Sequence, residues 1–267
     1  MPAATIPITI SPATTAPDTT ILTTGPATTI PDTTLPVTTI PIATAPVTVP
    51  ATVPATVPAT VPATVPATAA PAGTALALDV LGGIEQAKEH RGGYDRDLFG
   101  YPASFGGGCD TRAMILQRDS LSPAQIDAAG CTVVAGDWYS VYDGVTYDQP
   151  SELEVDHVVA LKEAWDSGAW QWSIPRLEAF ANDIDDVRSL RAVSSHTNRS
   201  KSDKDPSNWL PPNADDVCRY VGDWVAIKAR WHLSIDTSEY GRIRNVLRGP
   251  CAGWRVATWD APPVPLG

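Results

Sequence analysis

The chain has 267 residues, with 19 basic against 30 acidic side chains and a formal net charge of −11. No apolar run is long enough to cross a bilayer as a helix. An acidic balance also argues against a general polyanion binder, whose affinity is largely phosphate neutralisation, unless the cations are concentrated at one place.

Up to residue 74 the chain is almost wholly Thr, Pro, Ala, Val and Ile, with Asp18 and Asp32 its only ionised side chains, and V-P-A-T repeats from Val49 to Thr68. Proline at every fourth position removes backbone donors and disfavours helix at the residue before it. Residues 1–74 therefore read as a disordered, PPII-rich and semi-rigid stalk, compositionally like an O-glycosylated spacer. Residues 75–267 are long enough for one domain with its own core. They hold all 19 basic residues and 28 of the 30 acids, so the domain is still acidic.

Within the domain, residues 75–91 read as a short helix interrupted at Gly82–Gly83, and the glycine- and aromatic-rich stretch through Gly100 as turns. C-D-T-R-A-M-I-L-Q-R-D starts a helix at Asp110, with Arg112 in its first turn. Residues 131–136 read as a strand, and 141–147 as a hairpin turning at Asp143–Gly144. A strand over 153–160 carries Asp156 and His157, which alternation points to opposite faces unless the strand bends. Residues 162–168 and 176–183 read as helices, the second ending near Asn182. A brief strand over 190–193 leads into a helix carrying Asn198. Residues 217–231 have apolar side chains at helical spacing. Trp165, Trp170, Trp172, Trp209, Trp224 and Trp231 read mostly as core. The class is α+β with short strands.

Cys109, Cys131, Cys218 and Cys251 lack C-x-x-C spacing, which argues against a zinc knuckle. An even count beside an extracellular-looking stalk favours two disulfides, in sequence order Cys109–Cys131 and Cys218–Cys251. No standard signal peptide is legible after Met1, which has neither a basic flank nor an unbroken apolar stretch behind it. A secreted or cell-surface location, with cell-wall association through the stalk, is thus inferred from stalk and cysteines.

Two stretches carry chemistry: E-V-D-H-V-V around His157 and S-S-H-T-N-R-S-K-S-D-K-D-P around Asn198. A carboxylate and an amide oxygen suit a hard divalent ion, and a neutral imidazole suits a general base. Arg188, Arg191, Arg199, Lys201 and Lys204 fall within 17 positions of one another. Such a cluster suits a phosphate backbone. Asp110 with Arg112 reads equally as part of the site or as an ion pair, His196 as a surface or supporting residue, and Asp203 and Asp205 as acceptors that order a loop.

V-D-H-V-V followed by H-T-N-R-S-K-S-D resembles the HNH, or ββα-metal (His-Me finger), endonucleases. The resemblance extends to the secreted-type group related to the nuclease domain of GmrSD-type restriction enzymes. It rests on G-Y-D-R-D-L-F-G (93–100), C-D-T-R (109–112), D-H-V-V-A-L-K-E-A-W-D-S-G-A (156–169), F-A-N-D (180–183), N-R-S-K-S-D-K-D-P-S-N-W-L-P-P (198–212) and C-R-Y (218–220). It implies a ββα-metal core with additional helices and short strands. It also implies one divalent ion, Mg²⁺ first and Mn²⁺ as an alternative, on Asp156 and Asn198, with His157 as the base. Arg199, Lys201, Lys204 and Arg112 become the residues for nucleic acid, DNA before RNA, cleaved with little sequence preference. Ser189 stands near the position of the family's middle asparagine. The competing expectation is a non-catalytic extracellular binding or adhesion module with a vestigial nuclease site.

Overall fold

A computed structural model of the chain describes residues 73–100 and 102–260. The stalk expected over residues 1–74 lies outside them, save for Gly73 and Thr74. The described residues form a mixed helical and antiparallel α+β fold whose five sheets are all two-stranded. In chain order the elements are β1 (Thr74–Leu76), α1 (Ala77–Gly82), β2 (Ser104–Phe105), β3 (Cys109–Asp110), α2 (Thr111–Asp119), β4 (Gln125–Ile126), β5 (Val133–Ala135), β6 (Trp138–Ser140) and β7 (Val145–Tyr147). There follow β8 (Leu153–His157), α3 (Leu161–Asp166), α4 (Ile174–Ala181), β9 (Leu190–Ser194), α5 (Ser195–Lys201), α6 (Val217–Trp231), α7 (Thr237–Arg248) and β10 (Arg255–Ala257).

The helix α6 organises the larger core. Its Tyr220, Val221, Trp224, Val225 and Trp231 are fully buried and pack with Ala77 and Leu81 of α1, Ile243 and Leu247 of α7, and Phe99, Trp165, Leu177 and Phe180. Burying aromatic residues of this size contributes several kcal/mol of apolar transfer per helix turn, on the order of 2 kcal/mol for each side chain. The helix ends where His232 takes the left-handed conformation at φ 54° and its N–H bonds back to Ala229. A second, smaller core joins Ile115 and Leu116 of α2 to Leu153, Leu190 and Ala192 of β8 and β9, with Val133 and Trp138 beside them.

The pair β8–β9 is the sheet that matters for the site. It is antiparallel, in the register Leu153↔Ser194 through Asp156↔Arg191 to His157↔Leu190. The chain passes from β9 directly into α5, whose start is capped by the Ser194 hydroxyl accepting the Thr197 N–H at 3.3 Å. Such a cap supplies one of the partners that the first turn of a helix lacks.

The expected helix over 75–91 is shorter, and α1 stops at Gly82. Two successive glycines remove helix propensity, and beyond them the backbone finds a better partner: Ala87 donates to the Ile235 carbonyl at 3.0 Å and Ile235 to that of Glu85 at 2.9 Å. Trp170 is not core: it is 43% exposed and stacks on His90 with ring centroids 4.4 Å apart. Trp224 and Trp231 are fully buried as expected. Both disulfides pair as expected, Cys109 with Cys131 and Cys218 with Cys251, the second tying α6 to the turn after α7.

At the centre of the larger core the fully buried Lys228 ammonium donates to Glu163 at 2.7 Å, Glu239 at 2.6 Å, Ser167 at 2.9 Å and the Ser234 carbonyl at 3.0 Å. Removing the cation leaves two buried carboxylates without it. Lys228→Met is therefore expected to cost about 3–5 kcal/mol in urea unfolding; a loss under about 1 kcal/mol would show that the carboxylates are rehydrated or neutralised at little cost.

Candidate active site

Strand β8 distributes its side chains as a pleat must. Leu153 enters the smaller core. Asp156 is buried, its Oδ2 accepting from the Tyr142 hydroxyl at 2.6 Å and its Oδ1 from the Lys201 ammonium at 2.8 Å. His157 makes its contact elsewhere, with its Nε2 2.8 Å from the Ala181 carbonyl at the end of α4. The opposite pointing of the two neighbours is what strand alternation predicts.

A carbonyl oxygen can only accept, so Nε2 carries the proton and Nδ1 is the unprotonated nitrogen of the neutral ring. Among the described residues no hydrogen bond reaches Nδ1. Burial pulls His157 down from its usual 6.5 to about 4, against the opposing pulls of the Ala181 carbonyl and Asp156. The ring is thus a neutral base of fixed tautomer.

Two adjoining clefts, of about 410 and 540 Å³, open over this strand and share Arg96, Glu154, Val155, His157, Leu161 and Asn198 as walls. Asn198, on α5, is half-buried, and its Nδ2 donates to Glu154 Oε2 at 2.8 Å. Asp156 lines the larger cleft and Arg112 the smaller. Arg112 also donates to the Pro150 and Leu153 carbonyls at 2.8 and 3.1 Å, so it steadies the entry to β8. Asp110 does not pair with it but caps α2, accepting the Ala113 N–H at 2.7 Å.

The cations expected from the sequence separate into different places. Arg199 is 75% exposed at the cleft rim and forks onto Glu154. Lys204 is exposed, donates to the Ser200 carbonyl at 2.6 Å and lines neither cleft. Lys201 is fully buried beneath the site, between Asp156 and the His157 carbonyl, which it reaches at 2.8 Å. An ammonium so enclosed is internal to the fold and stands away from an approaching phosphate. His196 is exposed and lines neither cleft.

Ser189 donates to Asp183 at 2.9 Å, while its carbonyl accepts the Val158 N–H at 3.0 Å, bracing the chain just after His157 through the backbone. Asp205 orders its loop by accepting from the Ser207 N–H at 2.6 Å. Asp205 also meets Glu89 and Asp236 in the one group of three carboxylates whose oxygens lie within 4.8 Å of one another among the described residues. Two of its members, Glu89 and Asp236, line a separate cleft that shares no wall with His157.

Four participants were not singled out from the sequence: Arg96, Glu154, Tyr142 and the Ala181 carbonyl. Arg96 is exposed, walls both clefts and enters no ion pair among the described residues. Arg96, Glu154 and Ala181 lie in or beside the quoted blocks G-Y-D-R-D-L-F-G, E-V-D-H and F-A-N-D. The blocks were the signal, and the roles within them needed the fold.

Residues 115–246 match the family described as GmrSD restriction endonucleases, C-terminal domain. An uncharacterized secreted protein of Arthroderma benhamiae is 36% identical over 155 residues, which cover 58% of this chain and 74% of that protein. The chain belongs to the GmrSD C-terminal domain family. The domain is accordingly nuclease-related. The matched span of this GmrSD-type domain takes in β8, β9, α5 and α6 entire, and with them Glu154, Asp156, His157 and Asn198; Arg96 and Arg112 precede it. No solved structure matches the chain.

The depressed basicity of His157 is open to direct measurement. In the metal-free chain its imidazole resonances are expected to titrate near pH 4 by NMR, and a midpoint at 6 or above would contradict the burial argument. The linked stability has a definite sign. Below 6.5 the unfolded chain takes up a proton that the folded ring refuses, so this group lowers stability progressively as pH falls from 6.5 towards 4.

Proposed function

We propose that the GmrSD-type domain is a metal-dependent endonuclease of the HNH, ββα-metal kind, hydrolysing phosphodiester bonds of DNA with little sequence preference. The observation that carries the reading is His157: a neutral imidazole whose proton is held on Nε2 by Ala181, with no partner at Nδ1 among the described residues and the ring in a wall shared with Asn198 and Arg96. The succession β8, β9, α5 supports the ββα reading, with the base on the first strand and Asn198 on the helix.

The donors fit a hard divalent ion of the Mg²⁺ kind. Each oxygen of Asp156 accepts one hydrogen bond and keeps a second lone pair, and Asn198 adds an amide carbonyl. Asp156 and Asn198 would hold the ion, which when bound stabilises negative charge on the phosphoryl group and leaving oxygen. No zinc-type sulfur donor is near, because all four cysteines are in disulfides.

His157 Nδ1 removes the proton from the attacking water, and the Nε2–H bond to Ala181 keeps the ring from turning as it becomes imidazolium. Burial keeps the ring deprotonated at neutral pH, and the anionic phosphate beside it offsets the cost of charging it during the reaction. Arg96, which walls both clefts together with Asn198, contacts the scissile phosphate, while Arg112, Arg199 and Lys204 add positive charge along the strand's path. Lys201 acts from below by fixing Asp156 and the His157 backbone. The acidic remainder of the surface favours contact confined to this rim. The domain over 75–267 is the catalytic part, and residues 1–74 a spacer that suits an extracellular or cell-surface setting.

The purified full chain is expected to nick and linearise plasmid DNA with Mg²⁺ or Mn²⁺ and to lose that activity in EDTA. His157→Ala should lower the rate about 10²–10⁴-fold with its thermal midpoint retained, the usual contribution of a positioned base. Full activity of His157→Ala, or cleavage undiminished in EDTA, would end this reading, and an RNA substrate run in parallel decides between the two nucleic acids. Arg96→Ala is expected to lower kcat/KM about 10–100-fold, as loss of a charge-assisted hydrogen bond of about 1.5–3 kcal/mol requires. An unchanged kcat/KM would remove Arg96 from the site.

A further inference from the structure

Glu154 has no place in the assignment of base, metal donors and phosphate contacts, yet it is the acid that touches Asn198. Its Oε2 accepts from Asn198 Nδ2 at 2.8 Å, and its Oε1 accepts from Arg199 Nε at 3.0 Å and Nη2 at 2.8 Å. A carboxylate accepts and does not donate, so the Asn198 atom that faces it is the nitrogen, and the amide oxygen is turned away. Among the described residues Oδ1 receives no hydrogen bond. The Arg199 fork holds the far oxygen of Glu154 at two points, which fixes the carboxylate's own orientation.

Stability does not account for this arrangement. Glu154 is 32% and Arg199 75% exposed, and exposed pairs of that kind add little to folding free energy. What the chain Arg199–Glu154–Asn198 does fix is the rotation of one amide, on a side chain that walls both clefts with His157. An asparagine free to rotate would present nitrogen and oxygen to the cleft alternately, and only the oxygen binds a cation.

We propose that Glu154 is a positioning residue that sets the Asn198 amide so that Oδ1 is presented as an oxygen donor for a divalent ion. The proposal rests on the metal reading above, and it adds a residue and a role which that reading does not contain. Partners standing behind a ligand typically change metal affinity 10–100-fold, and that is the size of effect assigned to Glu154.

The test is Mn²⁺ binding to the full-length, metal-free chain, followed by electron paramagnetic resonance and by calorimetry. Asn198→Ala and Glu154→Ala should each weaken binding at least about tenfold without moving the thermal midpoint. Glu154→Gln offers one acceptor oxygen where the carboxylate offers two, so it keeps either the Asn198 contact or the Arg199 fork. It should bind more weakly than the unaltered chain but no more weakly than Glu154→Ala. The double variant should bind no more weakly than Asn198→Ala alone, as expected when one residue acts only through the other. Glu154→Ala binding like the unaltered chain, while Asn198→Ala is weakened, overturns the positioning role and leaves the metal reading intact. A double variant well below Asn198→Ala overturns it in favour of direct ligation by the carboxylate. No Mn²⁺ binding by the unaltered chain, or none lost in Asn198→Ala, overturns the metal reading together with this proposal.

Discussion

The Lys201 ammonium is the contact on which the site's geometry hangs. It is fully buried at the last residue of α5, and it bridges the Asp156 carboxylate and the His157 carbonyl of β8. A buried cation without a partner is costly by several kcal/mol, so the helix has one seat on the strand in which its charge is matched. Tyr142 occupies the other Asp156 oxygen, and its hydroxyl keeps its proton because burial first, and the adjacent carboxylate second, raise its pKa far above the ordinary value. With the end of α5 clamped there, Asn198 and Arg199, three and two residues earlier, come to rest over Glu154. The helix cannot run further, because Ser202 turns to a positive φ of 54° directly after Lys201. One buried ion pair thereby sets the spacing between the strand that bears His157 and the helix that bears Asn198.

The acidic composition looks different once the pairs are located. Nine acidic and six basic side chains are buried among the described residues, so part of the negative excess faces inward. Arg188 holds Asp186, Arg230 holds Asp183 and Asp186, and Arg191 lies between Asp216 and Asp223. Arg188 and Arg191 were among the cations whose clustering in sequence pointed to phosphate, and the structure commits both to the interior. The cations that line the clefts are Arg96 and Arg112, from outside that cluster, together with its member Arg199. A net charge counts side chains without regard to depth, whereas a phosphate responds to those it can approach.

Local rules account for what was legible without coordinates. The α6 span agrees because its apolar spacing runs uninterrupted to the residue at which the chain turns left-handed. The turn at Asp143–Gly144 agrees because Gly144 takes a φ of 73°, which a side chain resists. Asn182 does follow the last residue of α4, and both disulfides follow sequence order. The disagreements have a common cause in long-range partners. Residues beyond Gly83 abandon the helix for the backbone of Ile235, and the two-residue strands β2, β3 and β4 exist through their pairing alone. Trp170 keeps 43% of its surface because the stacking partner it found, His90, is itself exposed. Helix α7 escaped notice because its buried Ile243, Val246 and Leu247 are sparse among polar neighbours, and its first turn depends on Asp236 accepting from the Ser238 and Glu239 N–H groups.

By itself the sequence determined the α+β class, the family resemblance later found in the GmrSD match, the cysteine pairing and the choice of His157 and Asn198 as the residues proposed to carry the chemistry. Each of these is written in residue type and short-range spacing, which a linear reading contains. Only the tertiary structure decided which nitrogen of His157 is unprotonated, that Lys201 is a buried clamp, that Glu154 grips Asn198, and that Arg96 faces the same cleft. Those depend on contacts with the Ala181 carbonyl, the Asp156 carboxylate and two separate cleft walls, between residues 24 to 45 positions apart in the bonded cases. A side chain's identity sets what it is able to donate or accept; the fold decides which atom stands opposite.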